Sequence, residues 1–283
     1  MALLIVVFIA TAYILYVDRV LKQSAPGEKK EKTVSKKARP FLKKPRKHAR
    51  PEGKEAPFAG QKIAVIIDDL GSDLNAVHKL LEIDGPIAFA VLPYGSHSTE
   101  VAEIAHRMGR EVLLHLPMEP YNSPKKNPGE GALFVQMDEA ELIKQIEMDL
   151  EAVPYICGVN NHMGSRFMEN EEKLSVIMER IKKKRLFFVD SMTTAHSKGR
   201  EVAKKWGVPF AARKIFIDNG HDFDGTYNNL INITEMKNNG KPEPMLLIGH
   251  PYPDTIRALR KFIHLLREKN IKVVPVSELM KRS

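Results

Sequence analysis

Lys62-Ile63-Ala64-Val65-Ile66-Ile67-Asp68-Asp69-Leu70-Gly71 starts as an apolar, β-branched run and ends on two adjacent carboxylates. A short run of this kind reads as a strand with both faces covered. Residues 75–83 follow it with Val77, Leu80, Leu81 and Ile83 at helical spacing. The unit repeats. Apolar runs recur at 87–92, 111–116, 155–159, 186–189, 210–217, 245–248 and 271–276. Amphipathic segments at 98–108, 138–152, 169–184, 201–206 and 255–268 alternate with them. Strands separated by helices predict a parallel sheet covered by helices, and about eight such units suit a closed (β/α) barrel.

A doubly wound open sheet would give the same local pattern. The polar residues separate the two. Asp68 and Asp69 follow the first strand, His115 closes the third, and His162, Asp190, Asp218 and His250 follow later ones. In a barrel those strand ends converge on one rim, where active sites are built.

The chain has 44 Lys and Arg against 35 Asp and Glu, and 43% of it is apolar, which excludes wholesale disorder. Residues 18–57 hold fourteen of the basic and five of the acidic residues, the whole of the +9 excess. The remainder is neutral, so no folded face is expected to bind nucleic acid. Cys157 is the single cysteine, which rules out an intramolecular disulfide and a cysteine-rich zinc framework. Any metal site must be built from His and carboxylate.

Residues 1–17 are uncharged and mostly apolar, at the short end of what spans a bilayer. They are expected to be a membrane anchor or a signal segment, the latter with a small-residue site at Ala10-Thr11-Ala12. The basic residues after them favour a cytoplasmic C-terminal side, which leaves the orientation open. Residues 18–60 are expected to form a disordered basic linker, either a solvated spacer or an electrostatic attachment to anionic lipid or an acidic wall polymer. Residues 61–283 are expected to form the folded domain.

Two imidazoles and a carboxylate make an open three-ligand metal site that leaves a position for water. Asp69, His115 and His162 fit that description. Asp68 is placed to take a proton from the water, and in an extended chain it points to the opposite side from Asp69. His250 is placed to protonate a leaving amine, and Asp190 to orient its imidazole and raise its pKa.

Ile67-Asp68-Asp69-Leu70-Gly71, Leu114-His115-Leu116-Pro117-Met118-Glu119-Pro120, Asn160-Asn161-His162-Met163-Gly164-Ser165, Val189-Asp190-Ser191 and Gly249-His250-Pro251 resemble, in that order, the motifs of the divergent polysaccharide deacetylases. These are relatives of the NodB-type carbohydrate esterases, and the resemblance covers residues 62–277. It implies an α/β fold of the distorted (β/α) barrel type and a divalent metal, zinc first, held by Asp and two His. It also implies removal of acetyl groups from an N-acetylated envelope polysaccharide, peptidoglycan among them, by a protein anchored in the membrane or secreted beyond it. By the same resemblance Asp68 is the base, Asp69 and His115 are ligands and His250 is the acid.

The sequence departs from that pattern at two places. The family's second histidine, a few residues after the first, is absent from Leu116-Pro117-Met118-Glu119, so His162 is expected to substitute from the next strand. An Arg-Pro-Pro-Tyr block is replaced by residues 160–165, where Asn160 and Ser165 are expected to contact substrate. Those departures motivate an alternative, a non-catalytic metal- or glycan-binding scaffold of the envelope. The same water activation would also serve a non-sugar amide.

Glu119 is expected to bind substrate if it reaches the rim and is otherwise solvated, and residues 124–131 are either a substrate-facing loop or a spacer. Asp190 is placed at the site, whereas Asp218 is read as a cap or turn residue. Lys182, Lys183, Lys184 and Arg185 suit a helix C-terminus. Cys157 and Trp206 are read as packing residues.

Overall fold

The structure, a computed structural model, describes residues 61–220, 222–235, 244–269 and 271–280. The expected anchor or signal segment and the whole of the basic linker lie outside the described residues. Among the described residues no helix is long and apolar enough to cross a membrane.

Nine strands and seven helices alternate along the described chain. The strands are β1 (Lys62–Leu70), β2 (Ala88–Val91), β3 (Val112–Met118), β4 (Ile156–Met163), β5 (Phe187–Asp190), β6 (Phe210–Ala212), β7 (Ile215–Phe216), β8 (Met245–Gly249) and β9 (Lys272–Val273). The helices are α1 (Leu74–Leu81), α2 (Ser98–Arg107), α3 (Glu139–Ala152), α4 (Glu171–Lys183), α5 (Gly199–Trp206), α6 (Phe223–Glu235) and α7 (Pro253–Glu268). All pairings are parallel, in the order β6-β5-β4-β3-β2-β1-β8-β7, with β9 added at the start of β1. Helix starts follow from side-chain caps. Asp73 accepts from the Asn75 and Ala76 amides, Asn170 from Lys173, and Asp138 and Glu141 form a reciprocal capping box. Each such cap contributes about 1 kcal/mol.

The alternation of β1 sets two layers. Ile63, Val65 and Ile67 join the cluster that packs the helices, with Val77 and Leu80 of α1 and Leu259, Phe262 and Leu266 of α7. Ala64 and Ile66 face the other way and meet Ala88, Ala90, Leu113, Val189, Leu246 and Ile248. Several of these inner residues are alanine, so the sheet can curl tightly around them. Each fully buried Leu, Ile or Phe of the outer layer contributes roughly 1.5–3 kcal/mol.

The curl does not close. The expected single strand over 210–217 is broken at Arg213 and Lys214 into β6 and β7, which lie on opposite edges of the sheet. The Arg213 amide donates to Asp190 O at the end of β5, while the next amide, Lys214, donates to Leu246 O in β8. Two consecutive residues thus step from one edge to the other. The fold is a curled parallel half-barrel with a seam, and not the closed barrel that the repeat suggested.

Gly71 has φ +129°, and a Cβ there would lie 2.7 Å from Ser98 Oγ, the group that holds Leu92 O. Only glycine adopts this backbone without strain.

Candidate metal centre

Strand β1 ends irregularly. Its pairing with β2 shifts register between Ile67 and Leu70, and Asp69 adopts φ 57°. A left-handed aspartate inside a bulge turns its side chain back into the curl. The expectation that Asp68 and Asp69 point to opposite sides is therefore corrected: His115 Nε2 lies 3.1 Å from Asp69 Oδ1 and 3.7 Å from Asp68 Oδ2. Both carboxylates face one site.

His115 comes from the middle of β3 and His162 from the end of β4, which is longer than the predicted strand. Leu116 pairs with Asn161 and Pro117 with His162, which brings the two imidazoles side by side. His162 Nδ1 lies 3.0 Å from Asp69 Oδ1 and 3.1 Å from His115 Nε2. One oxygen and two nitrogens thus form a nearly equilateral triangle. Donor atoms at tetrahedral corners ~2.1 Å from an ion stand about 3.4 Å apart, so a small relaxation would admit one.

The neighbours fit such an ion as well. Asn160 is fully buried and donates from Nδ2 to Asp68 Oδ1 at 2.8 Å, so its Oδ1 accepts from His115 Nδ1 at 3.0 Å. That fixes the His115 ring with Nε2 toward the triangle, as an outer partner does for a ligating imidazole. Burial alone would lower the His115 pKa, but Asp68, Asp69 and Asn160 lift it to about 9. Burial would raise Asp69, yet hydrogen bonds and charge from both imidazoles hold it far below the usual carboxylate range. Burial raises Asp68, against the pull of His115, Asn160 and His250.

His250 stands on the other side of the carboxylates, its Nε2 3.9 Å from Asp69 Oδ2. Phe216 and Tyr252 flank its ring, each with centroids 5.7 Å away. Its Nδ1 lies 3.1 Å from Asp218 Oδ1, and Asp218 Oδ2 accepts from the His250 amide at 2.6 Å and the Thr255 hydroxyl at 3.0 Å. Burial would lower the imidazole pKa, but Asp218, then Asp68 and Asp69, raise it.

The residue that orients His250 is thus Asp218 and not Asp190. Asp190 accepts from the Met192 amide at 2.7 Å and the Ser197 hydroxyl at 2.6 Å, holding the turn after β5. Burial raises its pKa, opposed by those bonds. Glu119 is also corrected. It is buried, with Oε1 on Arg166 Nη1 at 2.8 Å and Oε2 accepting from the Val135 amide at 2.8 Å, so both oxygens pin loops instead of awaiting substrate. Asn160 likewise bridges Asp68 and His115 where a substrate contact was expected. Ser165 does border open space. It lines a cavity of about 220 Å³ with Tyr121, Asn122, Lys126 and Thr193, and its hydroxyl accepts from the Tyr121 amide at 3.1 Å.

Asn161 and Ser191 had no sequence signal beyond their motifs. Asn161 Oδ1 accepts from the Ser191 amide at 2.8 Å and its Nδ2 donates to Met163 O, which ties the end of β4 to that of β5. Ser191 Oγ lies 3.4 Å from Asn160 Nδ2. Cys157 is half-buried against Val112 O, and burial pushes its thiol up to about 12, which makes it inert.

The sequence model of the divergent polysaccharide deacetylases matches residues 65–280. The chain belongs to that family. This member of the divergent deacetylases is 34% identical over 229 residues to Escherichia coli (strain K12) YibQ, described as uncharacterised, covering 80% of this chain and 69% of the relative. It is 30% identical over 223 residues to an uncharacterised Haemophilus influenzae protein, covering 78% of each. An uncharacterised protein of Agrobacterium tumefaciens C58 shares the fold, with a TM-score of 0.73, 22% identity and coverage of 78% of this chain and 90% of that one.

Proposed function

We propose that this divergent deacetylase hydrolyses an acetyl group from an N- or O-acetylated polysaccharide of the bacterial cell envelope, peptidoglycan among the candidates. The observation that supports it is the meeting of Asp69, His115 and His162 around one point, with Asp68 and His250 on its flanks. Asp69 Oδ1, His115 Nε2 and His162 Nδ1 would hold a divalent cation, with zinc the first choice for this donor set. Such a cation supplies Lewis acidity toward an acyl oxygen and toward water.

The chain's own residues do the rest. Asp68 accepts a proton as water oxygen bonds to the acyl carbon, and Asn160 keeps the carboxylate aimed. His250, whose pKa Asp218 raises, gives its proton to the nitrogen or oxygen of the sugar as the bond to the acyl carbon breaks. The products are acetate and a free amine or hydroxyl. The cavity beside Ser165, with the exposed Tyr121 ring and Lys126, offers room for a neighbouring sugar unit. Residues 1–17 would hold the domain at the membrane or export it.

The test is metal titration of the metal-stripped protein, followed by acetate release from acetylated chito-oligomers and peptidoglycan. Uptake of one ion with acetate release supports the reading, and absence of uptake overturns the mechanism. A second reading, a metal- or glycan-binding scaffold without turnover, is favoured by the depth of Asp68, which is 2% exposed with one oxygen on Asn160. Asp68→Asn separates them: lost acetate release with retained metal supports catalysis, whereas no release from either protein supports the scaffold.

A further inference from the structure

The seam of the half-barrel carries a second concave site that none of this chemistry uses. Between β6 and the β7–β8 edge lies a cavity of about 490 Å³. Phe210, Leu246 and Leu279 give it an apolar wall, and Arg200, Arg213 and Lys214 give it three cations. Among the described residues that line it the single carboxylate, Asp190, has both oxygens engaged by Met192 and Ser197.

Arg213 is half-buried. Its Nε donates to Ser191 O at 2.6 Å and its Nη2 to Met192 O at 2.9 Å, and the Phe216 ring centroid lies 3.7 Å from the guanidinium carbon. Asp190 and Asp68 act on it only at longer range, and burial lowers its pKa. Arg200 lies 5.1 Å from the Phe210 ring centroid, and Lys214 is exposed. Among the described residues none of the three cations forms an ion pair with a carboxylate.

Arg213 is a partly desolvated cation without a counter-ion, which is costly, and low-dielectric walls focus its field and that of the exposed Arg200 and Lys214 into the concavity. The Arg200 fork, the edge of Arg213 that the two carbonyls leave over, and the Lys214 ammonium, beside an apolar wall, are the kind of donor set that carboxylate or phosphate ligands find in proteins. The volume falls in the range of roughly 300–1,000 Å³ typical of small-molecule sites. We infer that the seam cavity binds a small organic anion, a sugar-sized molecule bearing a carboxylate or a phosphate, independently of the metal centre.

Calorimetric titration of the full chain in the presence of a chelator, which keeps the metal centre empty, tests this. The probes are N-acetylmuramic acid, glucose 6-phosphate and the neutral N-acetylglucosamine. At least one anionic sugar is expected to bind tenfold or more tightly than the neutral one, with affinity falling as salt rises, and the anion that binds identifies the head group. Arg200→Ala/Lys214→Ala, two exposed positions, is expected to lose at least tenfold in that affinity without a change in melting midpoint. Should the double variant melt early, each single variant supplies the comparison. Failure of both anions to bind, equal binding of the neutral sugar, or wild-type affinity in the variants overturns the inference.

Discussion

Asp218 grips His250 twice, with Oδ1 3.1 Å from the ring Nδ1 and Oδ2 accepting the backbone amide at 2.6 Å. One carboxylate therefore sets the ring's orientation, its tautomer and its charge. Asp218→Asn removes the charge that raises the His250 pKa, so the protonated fraction falls at a lower pH. The alkaline limb of the rate of acetate release should move to lower pH, whereas His250→Ala should lower the rate by about 10²–10⁴-fold and abolish that limb. An unchanged pH profile in Asp218→Asn would remove His250 from proton transfer.

Metal uptake should expel protons. His115, lifted to about 9, is an imidazolium in the metal-free protein at neutral pH, and a ligating nitrogen must be free of its proton. Affinity for zinc should climb with pH until about 9. Calorimetry in buffers of different ionisation enthalpy should show close to one proton released per ion at pH 7 and almost none above 9. The same raised pKa means that the pairing stabilises the metal-free fold fully below about 6.5 and that this contribution is lost as pH rises through about 9.

Asp149 on α3 is fully buried, with Oδ1 accepting from Gln145 and Oδ2 without a partner among the described residues. Burial pushes its pKa to about 7, only partly opposed by Gln145 and Tyr94. An acid raised in this way costs stability as pH climbs from its ordinary value of 3.8 through about 7. Asp149→Asn should therefore gain on the order of 3 kcal/mol at pH 8, with the gap closing toward pH 4. Denaturant unfolding at the two pH values measures it, and equal effects at both would show that ionisation of Asp149 is not the cause.

Gly71→Ala should destabilise the domain by roughly 1–3 kcal/mol, because the new Cβ meets Ser98 Oγ in a backbone region open to glycine alone. Chemical denaturation reads this directly. A loss of only a few tenths would mean that the turn relaxes freely around the added methyl.

The strand and helix repeat and the group of Asp69, His115 and His162 were legible because each rests on a regular pattern: apolar runs, helical spacing, and polar residues at strand ends. What was missed depends on local breaks in that pattern. Arg213 and Lys214 split an apparently continuous strand, and nothing in 210–217 marks which halves pair with which edge. Helix α6, rich in Asn, carries a weak apolar stripe of Tyr227, Leu230 and Ile233. Asp218 and Asp190 look alike in sequence, since aspartate after a strand serves a turn as readily as a histidine, and only the cross-sheet contacts tell them apart. Glu119 and Asn160 sit in the right motifs but spend their polar atoms on the protein.

A β1 that kept its pleat through Asp69 would send that carboxylate outward beneath the helices and leave the two imidazoles with Asp68 alone beside them. The proposed capacity to gather an ion thus rests on the torsion of one residue as much as on the three side chains. A chain with the same Asp and His residues but a regular strand end would be expected to leave the cation in solution.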